Sequence, residues 1–449
     1  MRIDCLETTA NLPTWLSHRV FSQPLVQTPP VSECEVCVIV PVRNEAEVLE
    51  RTLTALANQT DLEGKPFNPK RYEIILLANN CSDDSAAIAR HFAKSHPDLV
   101  LHVVEKTLGA NEAYIGRVRQ ILMDEAYRRL TSIGQTKGAI ASTDGDSRVA
   151  ATWIAATLAE IASGADAVGG RIITDRVDRA ALDPYARACH LREVGYRYLI
   201  AEIETFLDPD PFDRLPRHYQ HYGASLAVTA QMYAQAGGLP AVRTPEDVAF
   251  YQALMRVNAR FRHSPLVRVV TSARTTGRTD IGLANQLNKW AKMGLQHQPF
   301  LVKSAAEIET LFQVRYLLKV LWWRILNGYQ PNYKETAPLA HILGIDLQWL
   351  MQKLGLFDTF GLLWERVEQR QQEEGIWQQR WFMVKIEEAI YDLRLRLDRL
   401  RRQQKSLQAQ PKQLYQEYSH GEREVYKYAV SSCRSMRRLV TIGCSQAIS

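Results

Sequence analysis

The stretch "AIASTDGDSRVAATW", residues 139–153, decides the fold. Small apolar residues, Gly138 to Ala141, lead into Asp144 and Asp146, which only Gly145 separates. From Trp153 onward, Ile154, Leu158 and Ile161 recur at helical spacing. The two carboxylates therefore fall where a buried strand ends and a helix has yet to begin. In an open α/β sheet that crevice receives ligands. Two like charges this close repel unless something positive sits between them. A hard divalent cation, Mn2+ or Mg2+, fits, because it takes carboxylate oxygens and keeps room for phosphate oxygens. Gly145 lets the backbone turn tightly enough for both acids to converge. Aspartate also caps helices, so the pair alone does not decide the chemistry.

Working outward, strands and helices alternate. "CEVCVIVPV" reads as a strand, and Val48, Leu49, Leu53 and Leu56 give the helix after it. "RYEIILLAN" and "SDDSAAIARHFAKS" form the second strand and helix, and "LVLHVVEK" and "GRVRQILMDEAYRRL" the third. Regular alternation of this kind predicts βαβ units and a mostly parallel sheet. No GxGxxG follows the first strand, which disfavours a Rossmann dinucleotide site. Past Asp146 the strands "ADAVGGRIIT", "YGASLAVT" and "RHSPLVRVVTSA" are separated by long polar connections, so the second half is expected to be mixed. Residues 1–35 read as an N-terminal arm ending near the proline-marked "VQTPPVS", residues 36–300 as the α/β domain, and 301–449 as a helical region. In that region Met383, Ile386, Ile390, Leu393, Leu397 and Leu400 alternate three and four apart, a coiled-coil-like seam flanked by arginines. Such a seam is buried against the chain's own body, a second copy in a homodimer, or a membrane surface.

The whole chain narrows the classes. Its 449 residues are 46% hydrophobic and carry a formal charge of +6, and the N-terminal two thirds lack the dense basic and aromatic patches of a nucleic-acid binder. Seven scattered cysteines suggest reduced thiols, and Cys34 with Cys37 reads as strand packing rather than zinc. No signal-peptide core or membrane span is expected; "YLLKVLWWRIL" from Tyr316 is short and carries Lys319 and Arg324. A cytoplasmic protein, soluble or peripheral on the inner membrane face, is the expectation.

Polar residues cluster at the other strand ends. "PVRNEAEVL" places Pro41, Arg43, Asn44 and Glu45 at the first strand-to-helix turn. "NNCSDDS" offers Asn79, Asn80 and Asp83 to a base or ribose, although Asn, Asp and Ser also favour turns for their own sake. After the third strand, Arg117 and Arg119 lie near a glycine-marked helix start suited to a diphosphate. Glu246 and Asp247 precede a later helix, where a general base could sit and where carboxylates also complement the dipole. Arg274 and Arg278 occupy a glycine-containing loop, and Trp290 closes "QLNKW".

This ordered set of motifs resembles family 2 of the glycosyltransferases, whose fold is called GT-A, over roughly residues 36 to 290. "VIVPVRNEAEVL" is similar to the family's opening strand and Pro-x-x-Asn-Glu turn, "LLANNCSDDS" to its nucleoside-binding turn, and "STDGDS" to its metal-binding D-x-D. "HYGASLAVTAQMYAQAGGLP" is similar to the acceptor-side segment, bringing in Gly223, Ala224 and Ser225, and "PED" to the E-D base motif. "QLNKW" resembles the Q-x-x-R-W of processive synthases, with Lys289 in place of arginine. Ala78 stands where many members carry an aspartate before the nucleoside turn.

The resemblance implies a GT-A fold, a mixed and mostly parallel sheet with flanking helices, here followed by a C-terminal α-helical region. It also implies a metal-dependent, inverting and non-processive transfer of a sugar from a nucleotide-diphosphate donor to an acceptor hydroxyl. Asp144 and Asp146 would hold the cation; Pro41, Arg43, Asn44, Glu45, Asn79, Asn80, Asp83, Arg117, Asp144 and Gly145 would face the donor. Asp247, with Glu246, would serve as base, and Gly223, Ala224, Ser225 and Trp290 would lie on the acceptor side. The rivals are a nucleotidyltransferase, disfavoured because "PVRNEAEV" has no glycine-rich phosphate loop, and a catalytically silent carbohydrate-binding or scaffolding relative.

Overall fold

The computed structural model describes residues 24–243, 245–277 and 282–409. Arg278, Cys5, Cys433, Cys444, most of the N-terminal arm and the last forty residues lie outside the described residues.

Every residue of β1 (Val36–Val42) is buried. Val36, Val38, Val40 and Val42 enter one core and Cys37 and Ile39 the opposite one, as the two-residue period of a strand covered on both faces requires. On the first face lie α1 (Leu49–Ala57), α2 (Ser85–Ser95) and α4 (Trp153–Ala162). On the second lie α3 (Ile115–Ser132), α7 (Ala230–Gln235) and α8 (Glu246–Arg256).

The remaining strands of the sheet are β2 (Tyr72–Asn79), β3 (Leu101–Lys106), β4 (Ala139–Ser142), β5 (Ser147–Val149), β6 (Ala167–Thr174), β7 (Leu226–Thr229) and β8 (Phe261–Thr271). Their order is β3-β2-β1-β4-β7-β6-β8-β5. The strands β3, β2, β1 and β4 are all parallel, whereas β7 runs antiparallel to both β4 and β6. This is the mixed, mostly parallel α/β sheet with flanking helices anticipated from the sequence. The chain builds outward from β1 to β3, then returns to place β4 on β1's other side. The carboxyl ends of β1 and β4 therefore bound a topological switch point, the place where open α/β sheets bind ligands.

Beyond the sheet, α6 (Pro184–Leu207) and α9 (Leu283–Leu295) pack together, and the helical region begins with α10 (Ala305–Leu326). The helices α10, α11 (Tyr333–Leu343), α12 (Leu347–Lys353) and α13 (Phe360–Glu374) enclose their own core around Leu318, Leu343, Leu350 and Leu363. The helix α13 also caps α8. Thr359 Oγ1 donates to the Arg256 carbonyl at 2.6 Å, Arg256 forms a two-pronged pair with Glu365, and Gly361 abuts the Met255 backbone.

The seam lies on α15 (Ile386–Ala409), where Ile386, Leu393 and Leu397 are buried with Tyr196 and Ile203 of α6 and Ile308 and Phe312 of α10. The chain itself covers it. Met383 departs from the expected seam: it precedes the helix and is 54% exposed. The arginine flank finds acids on neighbouring helices, Arg396 with Glu309 and Arg401 with Glu202. Among the described residues no helix is long and apolar enough to cross a membrane.

Candidate active site

Two loops meet at the switch point, and side chains weld them. Asn44 adopts φ 56° and Asn80 φ 48°, left-handed conformations that asparagine tolerates. Asn44 Oδ1 accepts the Ser82 amide at 2.8 Å. Asp83 accepts the Ala46 amide at 3.0 Å and the Ser85 hydroxyl at 2.6 Å. Asn80 pins the loop after β3 by exchanging two 3.0 Å bonds with Leu108. These side chains, expected beside a nucleoside, hold the turns in place. Asn79, buried at the end of β2, has an amide oxygen with no partner in the protein. Pro41 is buried in β1, and Arg43 reaches the Ala113 carbonyl at 3.4 Å.

Five carboxylates gather around the crevice: Glu45, Asp144, Asp146, Glu246 and Asp247. Glu45 is 7% exposed and grips Arg274 through bonds of 2.6 and 2.5 Å; Arg274 also reaches Asp146 at 3.2 Å. Arg119 Nη2 donates to Asp144 at 2.6 Å while Nη1 pairs with Glu246. Asp247 Oδ2 accepts the Gly223 amide at 3.0 Å, and Oδ1 accepts the Val248 amide at 2.8 Å. Each Asp247 oxygen thus retains acceptor capacity for a further proton.

The electrostatics follow from two guanidiniums facing five acids. Burial, with Asp144 beside it and only partly offset by Arg274, pushes the Asp146 carboxyl up to about 7. Burial likewise raises Asp144 and Glu246 against the pull of Arg119. Burial alone would lower the Arg119 guanidinium, but Glu246, Asp144 and Asp247 outweigh it and hold it above its ordinary value. The crevice is short of positive charge, and its donors are hard oxygens; both conditions suit a divalent cation at Asp144 and Asp146.

The other residues expected at the site have varied surroundings. Arg117 points elsewhere, to Glu112 and to Gln120 at 2.7 Å; Arg119, two residues on, enters the crevice. Gly145 has no left-handed backbone; its missing side chain makes room, since a Cβ would lie 3.1 Å from Val42 and 3.4 Å from Glu45. Trp290 is 1% exposed and packs with Leu182, Ala186 and Leu287. Ser225 is buried and accepts the Trp153 indole N–H at 3.0 Å, while the buried Ala224 precedes it. Gly223, expected on the acceptor side, does reach the acids. A Cβ there would fall 2.6 Å from Arg119 Nη2 and closer still to Nη1 and Cζ.

Among the described residues, the one set of three ligand-type atoms lying within 4.8 Å of each other is Cys34, Cys37 and Glu73. It is far from vacant: Arg129 binds Glu73 through two bonds, 2.7 and 2.5 Å, and Cys37 donates to it at 2.9 Å. With a buried guanidinium already neutralising the carboxylate, strand packing is the better account, as expected from the sequence.

Residues 37–213 match the family described as Glycosyl transferase family 2. Glycosyltransferase AglE of Haloferax volcanii is 30% identical over 139 residues, which are 30% of this chain. The match spans 39% of that relative's length. Among solved structures, the mannosyltransferase PcManGT of Pyrobaculum calidifontis, in complex with GDP-Man and Mn2+, is similar at 19% identity and a TM-score of 0.37, covering 76% of this chain and 79% of that one. Residues 1–349 of TarS from S. aureus, in complex with UDP-GlcNAc, give 14% identity and 0.39, covering 76% and 92%. Glucosyl-3-phosphoglycerate synthase of Mycobacterium tuberculosis, in complex with Mn2+, UDP-Glc and phosphoglyceric acid, gives 11% and 0.34, covering 61% and 86%.

Proposed function

We propose, from the match of residues 37–213 to the family described as Glycosyl transferase family 2, that the chain moves a sugar from a nucleotide-diphosphate donor to an acceptor hydroxyl. The observation that carries the reading is the gathering of five carboxylates against two guanidiniums at the β1/β4 switch point.

Asp144 and Asp146 would hold a divalent cation, Mn2+ or Mg2+, which when bound would supply neutralisation of the leaving diphosphate. Arg274 lies on the same side and adds fixed positive charge near that group. Asp247 is the base: the Gly223 and Val248 amides orient its carboxylate, and its remaining lone pairs take the acceptor's hydroxyl proton. The acceptor oxygen then bonds to the anomeric carbon as the bond from that carbon to the diphosphate oxygen breaks. Its electron pair leaves with the diphosphate. Attack from the opposite face gives inversion.

An assay for released nucleoside diphosphate across nucleotide sugars with Mn2+, run beside one for pyrophosphate with a nucleoside triphosphate and a sugar phosphate, tests this reading. Nucleoside diphosphate release that requires the cation is the expected result. Pyrophosphate release from a nucleoside triphosphate would instead favour nucleotidyl transfer, and no product at all a silent relative.

A further inference from the structure

We infer that Arg119 is a positioning residue, a strut that couples the cation-holding acid Asp144 to the acceptor base. The inference rests on the proposed function. Arg119 is 4% exposed and reaches Asp144, 25 residues away at the end of β4, and Glu246, 127 residues away at the start of α8. Its guanidinium lies against Gly223, whose amide holds Asp247 Oδ2. One planar group therefore touches the cation side, the helix that carries the base, and the glycine that orients it. Its Nε is buried without a partner, so the guanidinium is fixed by these two acids rather than by a full set of bonds.

Two consequences of opposite sign follow. A positive charge bonded to Asp144 competes with a cation for the same carboxylate, so removing it must tighten cation binding. Removing it also frees Glu246 and, with it, the neighbouring Asp247, so the base loses its register with the donor. A residue that merely supported the fold would weaken both properties together.

The test compares wild type, Arg119→Gln and Arg119→Lys in the full chain. Calorimetry with Mn2+ alone should show the glutamine variant binding about tenfold more tightly than wild type. The lysine variant keeps the charge and should stay within about threefold of wild type. In both, kcat for transfer should fall on the order of a hundredfold, as for a displaced catalytic group, while donor KM moves little. If Arg119→Gln does not fold, the lysine variant still reads the split between kcat and KM. Unchanged or weaker Mn2+ binding in the glutamine variant, or parallel loss of donor binding and turnover in the lysine variant, would overturn the strut. A wild type that binds Mn2+ yet turns over no nucleotide sugar would overturn the function reading alone, because the Mn2+ comparison still reports on Arg119.

Discussion

Gly223→Ala should disturb the crevice through a single methyl group. The new Cβ would lie 2.6 Å from Arg119 Nη2 and closer to Nη1, so the guanidinium must leave or the Gly223 backbone must retreat from Asp247. Arg119 is 4% exposed and Glu246 5%, so moving the guanidinium strands buried charge. Breaking a buried pair in this way costs about 3–5 kcal/mol. For a catalytic unit of this size that is a fall in melting temperature of roughly 6–10 °C. Urea denaturation of the variant, alone and combined with Arg119→Ala, checks the cause. With the guanidinium gone the three nearest clashes vanish, so the added cost should drop below about 1 kcal/mol. Equal cost in both backgrounds would refute the reasoning.

Glu73 and Asp213 are buried and Glu204 is half-buried, which favours their neutral forms. Arg129 beside Glu73, Arg217 and Arg315 beside Glu204, and His263 beside Asp213 more than offset this and bring all three down to about 2. Their folded values lie below the unfolded ones, so their stabilisation is complete above about pH 4.5 and is lost as pH falls toward 2. Urea midpoints should drop steeply across that window, and Glu73→Gln should flatten the slope; an unchanged slope would count against the Glu73 pair. Gly361→Ala would press a methyl group to 2.6 Å from the Met255 carbonyl carbon and prise α13 from α8. Transfer should fall while nucleoside diphosphate affinity, measured by calorimetry, holds, unless α13 plays no part in setting α8. Leu393→Asp puts a charge into the seam beside Phe312 and should cost at least about 3 kcal/mol in thermal unfolding. An unchanged melting curve would mean the seam is not buried.

The strand content was legible because β1 and its neighbours are nearly continuous apolar runs ending in polar turns, a pattern that chain order alone reveals. Asp144 with Asp146 and Glu246 with Asp247 could be singled out because each pair follows a strand or opens a helix, although capping and dipole chemistry favour acids there as well. Their partners could not be singled out. Arg117 and Arg119 lie two apart on one helix and so face different ways, and nothing local says which turns inward. A hint was available in Gly116, which abuts the Val242 backbone: Arg119, three residues on, shares that packed face. Asn80 and Asp83 looked like ligand groups because the residue types that bind a ribose also build turns. Which use wins depends on Leu108 and Ala46, distant in sequence. Trp290 fills a core with Leu182 and Leu287, a placement that the motif around it does not foretell.

Calorimetric titration with a nucleoside diphosphate, UDP and GDP in turn, in Mn2+ and in EDTA, tests the central claim most directly when wild type and Asp146→Asn are compared. Wild type should bind one of the nucleotides in Mn2+ and lose about tenfold or more in affinity in EDTA, whereas Asp146→Asn should bind weakly in both. Wild-type binding as tight in EDTA as in Mn2+, or Asp146→Asn binding as tightly as wild type in Mn2+, would contradict the claim that these paired acids hold the donor through a metal.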